Sequence, residues 1–489
     1  MSKRKEIIRH ISIYSLGTQL AQLITLVAAI ISRRFLGPAQ TGIWSTLQIL
    51  VDYSKYSVMG TLEAATREIP YRIGKGEIIG AEKIKNLAFS FILSTSAIVS
   101  IGIVLFAIAS RGWFPKEVSY GLFFIAILIL LQRVNNLLIS LLRCYKKFEI
   151  ETGMMILSAI VNAILVGFLT FHFKIYGFIW AMIISFIFNI VYIYFHYRFN
   201  FKWEYDFSLL KPLLSYGFPL MLIGVLTLGI KSIDKIMIVK MMGFESLGLY
   251  SIALMACSYL SNFSIAIAIV FLPHFQERIA IHKNPRELEN YLFKSSSAYT
   301  LIMPALIGSV WILAPYAIRL FLPKFVFGIA AMKVLVLSMF FIALTQPYQD
   351  FLIGIKKHFL LFPLLGTTLV IALLIDYWAI RSGFGIVGVA YATGFTSFFN
   401  FSIIYFFAAH YFVSVWKALQ KYTGFLGCGM YFLAVFFLLD RWMPSDSTFV
   451  RAIFIQLIAF TVFYIPVLIV LNREFSVFTM VKQKILGLS

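Results

Sequence analysis

Long apolar segments alternate with short polar ones along the whole chain. Each apolar segment is close to the roughly 20 residues that an α-helix needs to cross the hydrocarbon core of a bilayer. The pattern therefore predicts an all-α polytopic membrane protein with about 14 transmembrane helices and no separate soluble domain. The predicted spans are residues 12–33, 42–62, 87–109, 118–142, 150–171, 177–197, 213–238, 246–272, 296–317, 326–348, 359–380, 384–408, 422–439 and 449–471.

The charged residues indicate how these helices are oriented. Charged residues make up only 13% of the chain, yet the net charge is +21. A nucleic-acid partner would require the basic residues to form one patch. Instead, 26 of the 42 Lys and Arg residues fall in alternate connecting segments and at the two ends of the chain. The positive-inside rule assigns these segments to the cytoplasm. We therefore predict no nucleic-acid partner and two cytoplasmic termini.

Three pairs of short matches indicate an internal repeat. The pairs are LGPAQTGIWS (36–45) with MGFESLGLYS (242–251), YKKF (145–148) with IKKH (355–358), and IYGFIWA (175–181) with IVGVAYA (386–392). They occur in the same order at nearly one offset, whereas chance matches would scatter. We predict two parallel six-helix halves, 1–205 and 206–410, with a central cavity between them. Residues 411–489 would then add two transmembrane helices and a cytoplasmic tail.

Polar residues inside predicted spans are candidates for function. A charged side chain near the bilayer centre is costly, and it persists only with partners or water. Arg133 lies well inside the predicted span 118–142, and three amides lie within one turn of it: Gln132, Asn135 and Asn136. This group predicts a polar, hydrated face that contributes to a substrate-binding cavity.

Other spans carry further charges. Four more cations lie within them: Lys55, Lys231, Lys235 and Lys333. Asp52 lies three residues from Lys55. Lys231 lies three residues from Asp234 and four from Lys235, so these charges share helix faces. The two acids are candidates for coupling to protons or sodium, or alternatively they are counter-ions of the lysines.

The first predicted helix has a polar stripe of its own. Gln19 and Gln22 continue a series of polar residues at three- and four-residue steps, so they lie on one face. Such a stripe either lines a cavity or joins one helix to another, because polar side chains also hold membrane helices together. Both interpretations stay open at this point.

The signs of the embedded charges bear on the substrate. Five cations face only Asp52, Asp234 and the more peripheral Asp376, so the predicted interior is net positive. A cavity of that sign attracts anions and repels organic cations. A diphosphate suits it, because Arg offers two parallel donors and Lys a point charge. No P-loop, metal-ligand spacing or nucleophile motif occurs, so we predict no enzyme, metal site or cofactor.

Several segments resemble a known family. They are RRFLGPAQTGIWS, GTLEAATREIPYRIGKGE, and SYGFPLM followed by IDKIMIVKMMGFESLGLYSIA. They are similar to segments of Wzx-type polysaccharide flippases, in the superfamily that includes multidrug and toxin extruders (MATE) and the lipid II flippase. The resemblance covers most of the first 410 residues. It implies a V-shaped, MATE-like bundle in the bacterial inner membrane.

The resemblance also implies a function. Members carry undecaprenyl-diphosphate-linked oligosaccharide from the inner to the outer leaflet by alternating access, for O-antigen, capsule or exopolysaccharide synthesis. By this resemblance, Arg133 and Lys55 would bind the diphosphate, with Lys231, Lys235 and Lys333 as further candidates. Membrane lipids and the polysaccharide polymerase and ligase machinery would be partners. Two alternatives stay open: a lipid II flippase, which also has 14 helices, and a MATE-type multidrug or cation antiporter.

Overall fold

The computed structural model describes residues 3–281, 285–441 and 449–475. The predicted cytoplasmic tail beyond Phe475 lies outside these residues. The chain divides into two compact units, Met1–Gly248 and Leu249–Ser489. The predicted boundary between residues 205 and 206 falls inside the first unit, and the division into two six-helix halves stays a prediction.

All regular structure in the described residues is helical. Six helices begin in the first unit: α1 (Lys3–Ser54), α2 (Thr61–Gly74), α3 (Ile78–Ala109), α4 (Lys116–Cys144), α5 (Phe148–His196) and α6 (Phe207–Ile281). Six follow in the second unit: α7 (Glu289–Phe321), α8 (Ile329–Gly354), α9 (Leu361–Arg381), α10 (Gly385–Ala409), α11 (Val415–Arg441) and α12 (Phe449–Phe475). The helical fold class is confirmed.

Three of these helices are each divided by a break. The backbone leaves helical geometry at Gly37 in α1, at Lys174 in α5 and at Gly243 in α6. Apart from the short α2, the described chain therefore holds 14 helical segments, the number of predicted spans. Within the described residues, ten helices are each long and apolar enough to cross a membrane, and one bent pair within α6 brings the number to 11. The protein is a multi-pass membrane protein.

The basic segment 63–86 connects the predicted spans 42–62 and 87–109, so the sequence predicts a loop there, but the structure differs. Most of it belongs to α2 and to the start of α3. The segment is too polar for a span, but Ala65 and Ile69 lie four residues apart and are both buried, whereas Arg67 is exposed. This spacing makes one face of α2 apolar and the other charged. A short amphipathic helix therefore replaces the predicted loop.

Residues with positive φ recur at the offsets of the predicted repeat. The matched pairs are Gly37 with Gly243, Lys146 with Lys356, and Lys174 with Gly385. A positive φ is uncommon outside glycine, so three coincidences at offsets of 206 to 211 residues support the repeat.

Glycines allow the backbones of α1 and α6 to meet after the two matched breaks. A β-carbon on Gly42 would lie 1.7 Å from the carbonyl oxygen of Phe244, and one on Gly248 would lie 1.8 Å from that of Pro38. Each distance is far below van der Waals contact, so only glycine fits either position. The two contacts are equivalent under a shift of 206 residues, as expected for a pseudo-two-fold relation.

The same two helices stay in contact further along. Tyr53 at the end of α1 hydrogen-bonds to Ser232 of α6, with 3.0 Å between their hydroxyl oxygens. Tyr56, in the 3₁₀ turn that follows α1, packs against Gly224, where a β-carbon would come within 2.6 Å of the ring. These contacts place the charged end of α1 beside the charged stretch of α6.

Candidate functional site

Charged side chains of the first unit form one group. We call it the charged cluster, and its members are Asp52, Lys55, Glu63, Arg133, Lys231 and Lys235. The charges of the two acids act on Arg133, and those of the two other lysines act on Lys231. The same two acids act on the Tyr56 hydroxyl, next to Lys55. The cluster therefore combines charges from α1 and its following turn, α2, α4 and α6.

Arg133 is the buried member of the cluster. Only 7% of its surface is exposed. Its Nη2 donates a hydrogen bond to Oε1 of Gln132 at 3.0 Å, and its Nε has no hydrogen-bond partner. Among the described residues, no carboxylate forms an ion pair with this guanidinium. Because a guanidinium has five N–H donors, Arg133 keeps donors for an anionic ligand.

The amides of α4 surround Arg133 as the sequence predicted, but they differ in exposure. Gln132 and Asn136 are half-buried, and Asn136 shares the face of Arg133 because it lies three residues on. Asn135 is buried, and its Oδ1 has no hydrogen-bond partner in the described structure. Buried polar atoms without a partner are uncommon in native folds, so this stretch of α4 is suited to binding a polar ligand or water.

The three lysines of the cluster are accessible. Lys55 is exposed, and its Nζ lies 4.9 Å from the centroid of the Tyr56 ring. Lys231 is also exposed. Lys235 is half-buried. Because neighbouring like charges repel each other, their grouping favours an anionic ligand.

The acids include one that the sequence analysis missed. Asp52 accepts a hydrogen bond from Nε2 of Gln48 at 3.0 Å. Asp234 is buried beside the cluster and accepts the backbone N–H of Lys235 at 2.7 Å. Glu63 escaped notice because it lies outside the predicted spans, in the first turn of α2. Four cations against three acids, with Asp234 included, leave this group of charges net positive.

Lys333 and the two glutamines of α1 have no described contact with the charged cluster. Lys333 belongs to the second unit, where its Nζ lies 2.5 Å from Oδ1 of Asp440 and 4.1 Å from the centroid of the Trp311 ring. Its charge is therefore neutralised within the protein. Gln19 is exposed and Gln22 half-buried. The assignment of these three residues to the substrate site stays a prediction.

A cavity also occurs within the second unit. It has a volume of about 630 Å³ and lies between α7, α11 and α12. Its walls include Phe425, Pro466 and Val467, and its one charged residue is Lys421. Apolar walls suit hydrocarbon better than a diphosphate. The charged cluster is therefore the stronger candidate for binding an anionic headgroup.

Solved structures share this fold. The chain resembles the lipid II flippase MurJ in an inward closed conformation, with a TM-score of 0.67 and 16% identity over 94% of this chain and 99% of that one. It also resembles an inward-facing MATE multidrug transporter, with a TM-score of 0.60 and 15% identity over 81% of this chain and 98% of that one. A third similar structure is a MOP superfamily transporter from Pyrococcus furiosus, described as having a binding pocket of reversed polarity. Its TM-score is 0.59, with 16% identity over 83% of this chain and 94% of that one. At these identities the similarity establishes the fold.

Sequence comparison gives the family. No curated protein matches the chain significantly. A family model described as "Polysaccharide biosynthesis protein" matches residues 77–325, just over half of the 489 residues. The matched region includes Arg133, Lys231 and Lys235 of the charged cluster. The chain therefore belongs to the polysaccharide biosynthesis protein family.

Proposed function

We propose that this protein flips undecaprenyl-diphosphate-linked oligosaccharide from the inner to the outer leaflet of the bacterial cytoplasmic membrane by alternating access. The single observation that carries the proposal is the charged cluster around Arg133, a net positive group within a membrane-spanning fold. The family and the fold support a role in moving a polysaccharide precursor. The cluster supports a precursor with an anionic headgroup.

The cluster addresses the main physical obstacle to flipping. A diphosphate and many sugar hydroxyls cannot enter hydrocarbon without losing their hydration, which is very costly for charged groups. A polar surface with spare donors replaces that hydration. Arg133 would bind two phosphate oxygens in parallel, while Lys55 and Lys231 would act as point charges. Asp52 and Asp234 stay candidates for coupling transport to protons or sodium.

A lipid II flippase is the second candidate. The number of helical segments and the similarity to MurJ favour it. Its substrate is also a polyprenyl diphosphate, so the same cluster would serve the same chemical purpose. A multidrug antiporter for organic cations fits less well, because the cluster is net positive and would repel its substrate.

Lipid analysis of a deletion strain tests the proposal. We expect polyprenyl-diphosphate-linked oligosaccharide to accumulate on the inner leaflet when the gene is deleted, and to fall again when the wild-type protein is restored. Leaflet location is measured with a membrane-impermeant enzyme or lectin that reaches only the outer leaflet. Accumulation of lipid II instead would favour the second candidate. Unchanged levels of both lipids would exclude both proposals.

Lys333 provides a test of which cations belong to the site. We expect Lys333→Met to leave polysaccharide export within about twofold of wild type, because Asp440 already neutralises this lysine. The loss of one partly exposed ion pair should change the free energy of unfolding by about 1 kcal/mol or less. Export is measured as surface polysaccharide in the complemented deletion strain, with Asp440→Asn as the matched variant. Loss of export in Lys333→Met, but not in Asp440→Asn, would assign Lys333 to the substrate site.

A further inference from the structure

Two short turns hold lysine in a conformation that favours glycine. Lys146 follows α4 with φ 57°, and Lys356 follows α8 with φ 60°. In both turns, the next residue donates its backbone N–H to the carbonyl oxygen five residues earlier, at 2.8 Å. This bond belongs to the Schellman motif, whose left-handed position is usually glycine. A side chain at that position costs free energy relative to glycine.

The chain itself provides a comparison for these turns. Two other helices end with the same hydrogen-bond pattern, and there the left-handed residue is glycine: Gly76 after α2 and Gly383 after α9. In these two turns glycine supplies the backbone conformation without a side chain. Lysine occurs instead at both positions that the predicted repeat relates to each other, which indicates that its charge is what the two turns require.

Each of these turns presents two adjacent cations. Residues 146–147 and 356–357 are all exposed lysines, and we call these pairs the lysine turns. Lys147 lies 5.2 Å from the centroid of the Tyr197 ring. Among the described residues, none of the four lysines has an ion-pair partner. The turns directly follow membrane-crossing helices, on the side that the positive-inside rule assigns to the cytoplasm, so they lie at the level of the lipid headgroups.

We propose that each lysine turn binds the phosphate of an anionic phospholipid in the cytoplasmic leaflet. Anionic lipids give this surface a negative potential, and basic residues next to spanning helices are attracted to it. A bound phosphate offsets the repulsion between the two neighbouring ammonium groups, and it holds the ends of α4 and α8 at the headgroup level. The lysine turns share no residue with the charged cluster, so the proposal does not depend on the proposed substrate.

Glycine substitution tests this proposal without disturbing the turns. In the double variant that combines Lys146→Gly and Lys356→Gly, the left-handed backbone conformation becomes more favourable. Its melting temperature should therefore stay the same or rise. Retention of phosphatidylglycerol is measured by native mass spectrometry after release from nanodiscs of phosphatidylglycerol and phosphatidylcholine. We expect the affinity at each turn to fall about fivefold. The paired Lys→Arg variant should retain the lipid, and Lys83→Gln, at an exposed lysine of α3, should behave as wild type.

Several results would overturn the proposal. Unchanged phosphatidylglycerol retention in the glycine variant would show that the lysines do not bind it. An equal loss in Lys83→Gln would show only a general effect of charge. Equal retention of both lipids by the wild-type protein would exclude selectivity for an anionic headgroup. Displacement of phosphatidylglycerol from the turns by an equimolar polyprenyl diphosphate would assign them to substrate rather than to the bilayer.

Discussion

Arg133→Met is expected to abolish polysaccharide export while the protein stays folded in the membrane. Two charge-assisted hydrogen bonds from a guanidinium to a phosphate contribute about 2 kcal/mol or more to binding, so export should fall at least about 30-fold. Stability should stay the same or rise, because methionine removes the buried Nε that has no hydrogen-bond partner. Export is measured as surface polysaccharide, and stability as the melting temperature of the purified protein.

Matched variants separate a substrate-binding role of Arg133 from a structural one. Arg133→Lys keeps the charge but loses the parallel donors, so we expect intermediate export. Lys333→Met also removes a cation from a membrane helix, but that cation is paired with Asp440, so export should persist. Wild-type export by Arg133→Met would remove this residue from the site. Loss of both export and folded protein would assign it a structural role.

The sequence was informative about Arg133 because embedding an arginine in an apolar helix is costly wherever the helix packs. The same argument could not show that Lys333 has a partner within the protein. Its partner Asp440 lies 107 residues away and at the end of a predicted span, so sequence spacing could not reveal the ion pair. It also overlooked Glu63, because a criterion based on spans does not register an acid in a connecting segment. Charges on separate helices are grouped by tertiary packing, which local spacing does not encode.

Most helices of the fold could also be predicted from the sequence, whereas their packing could not. Apolar length predicted the number of helical segments, because the thickness of the bilayer sets how long an apolar segment must be. The helix α2 was missed because its one buried face is short and the segment is rich in charge. The matching breaks at Gly37 and Gly243 could be anticipated from the repeat, since only glycine readily adopts their backbone conformation. Their consequence, the contact between α1 and α6, required coordinates.

Gly42→Ala is expected to be the most damaging of the small substitutions considered for this protein. The new β-carbon would lie 1.7 Å from the carbonyl oxygen of Phe244, so one of the two helices must move. Overpacking in a core costs about 1–3 kcal/mol even when flexible side chains can adjust. Here the obstacle is backbone, and we expect a loss of about 3 kcal/mol or more. The melting temperature of the purified protein and its abundance in the membrane measure the effect.

Two further glycines make this result specific. Gly248→Ala should reproduce the loss, because its β-carbon would lie 1.8 Å from the carbonyl oxygen of Pro38 in the equivalent contact. Gly102→Ala, in the middle of α3, meets no atom within 4 Å, so it should be neutral or slightly stabilising. Gly42 does not have a positive φ, so its effect would come from the clash and not from backbone strain. If Gly42→Ala had the same melting temperature as Gly102→Ala, this contact would not hold the two helices together. Glycine at positions 42 and 248 would then need another explanation.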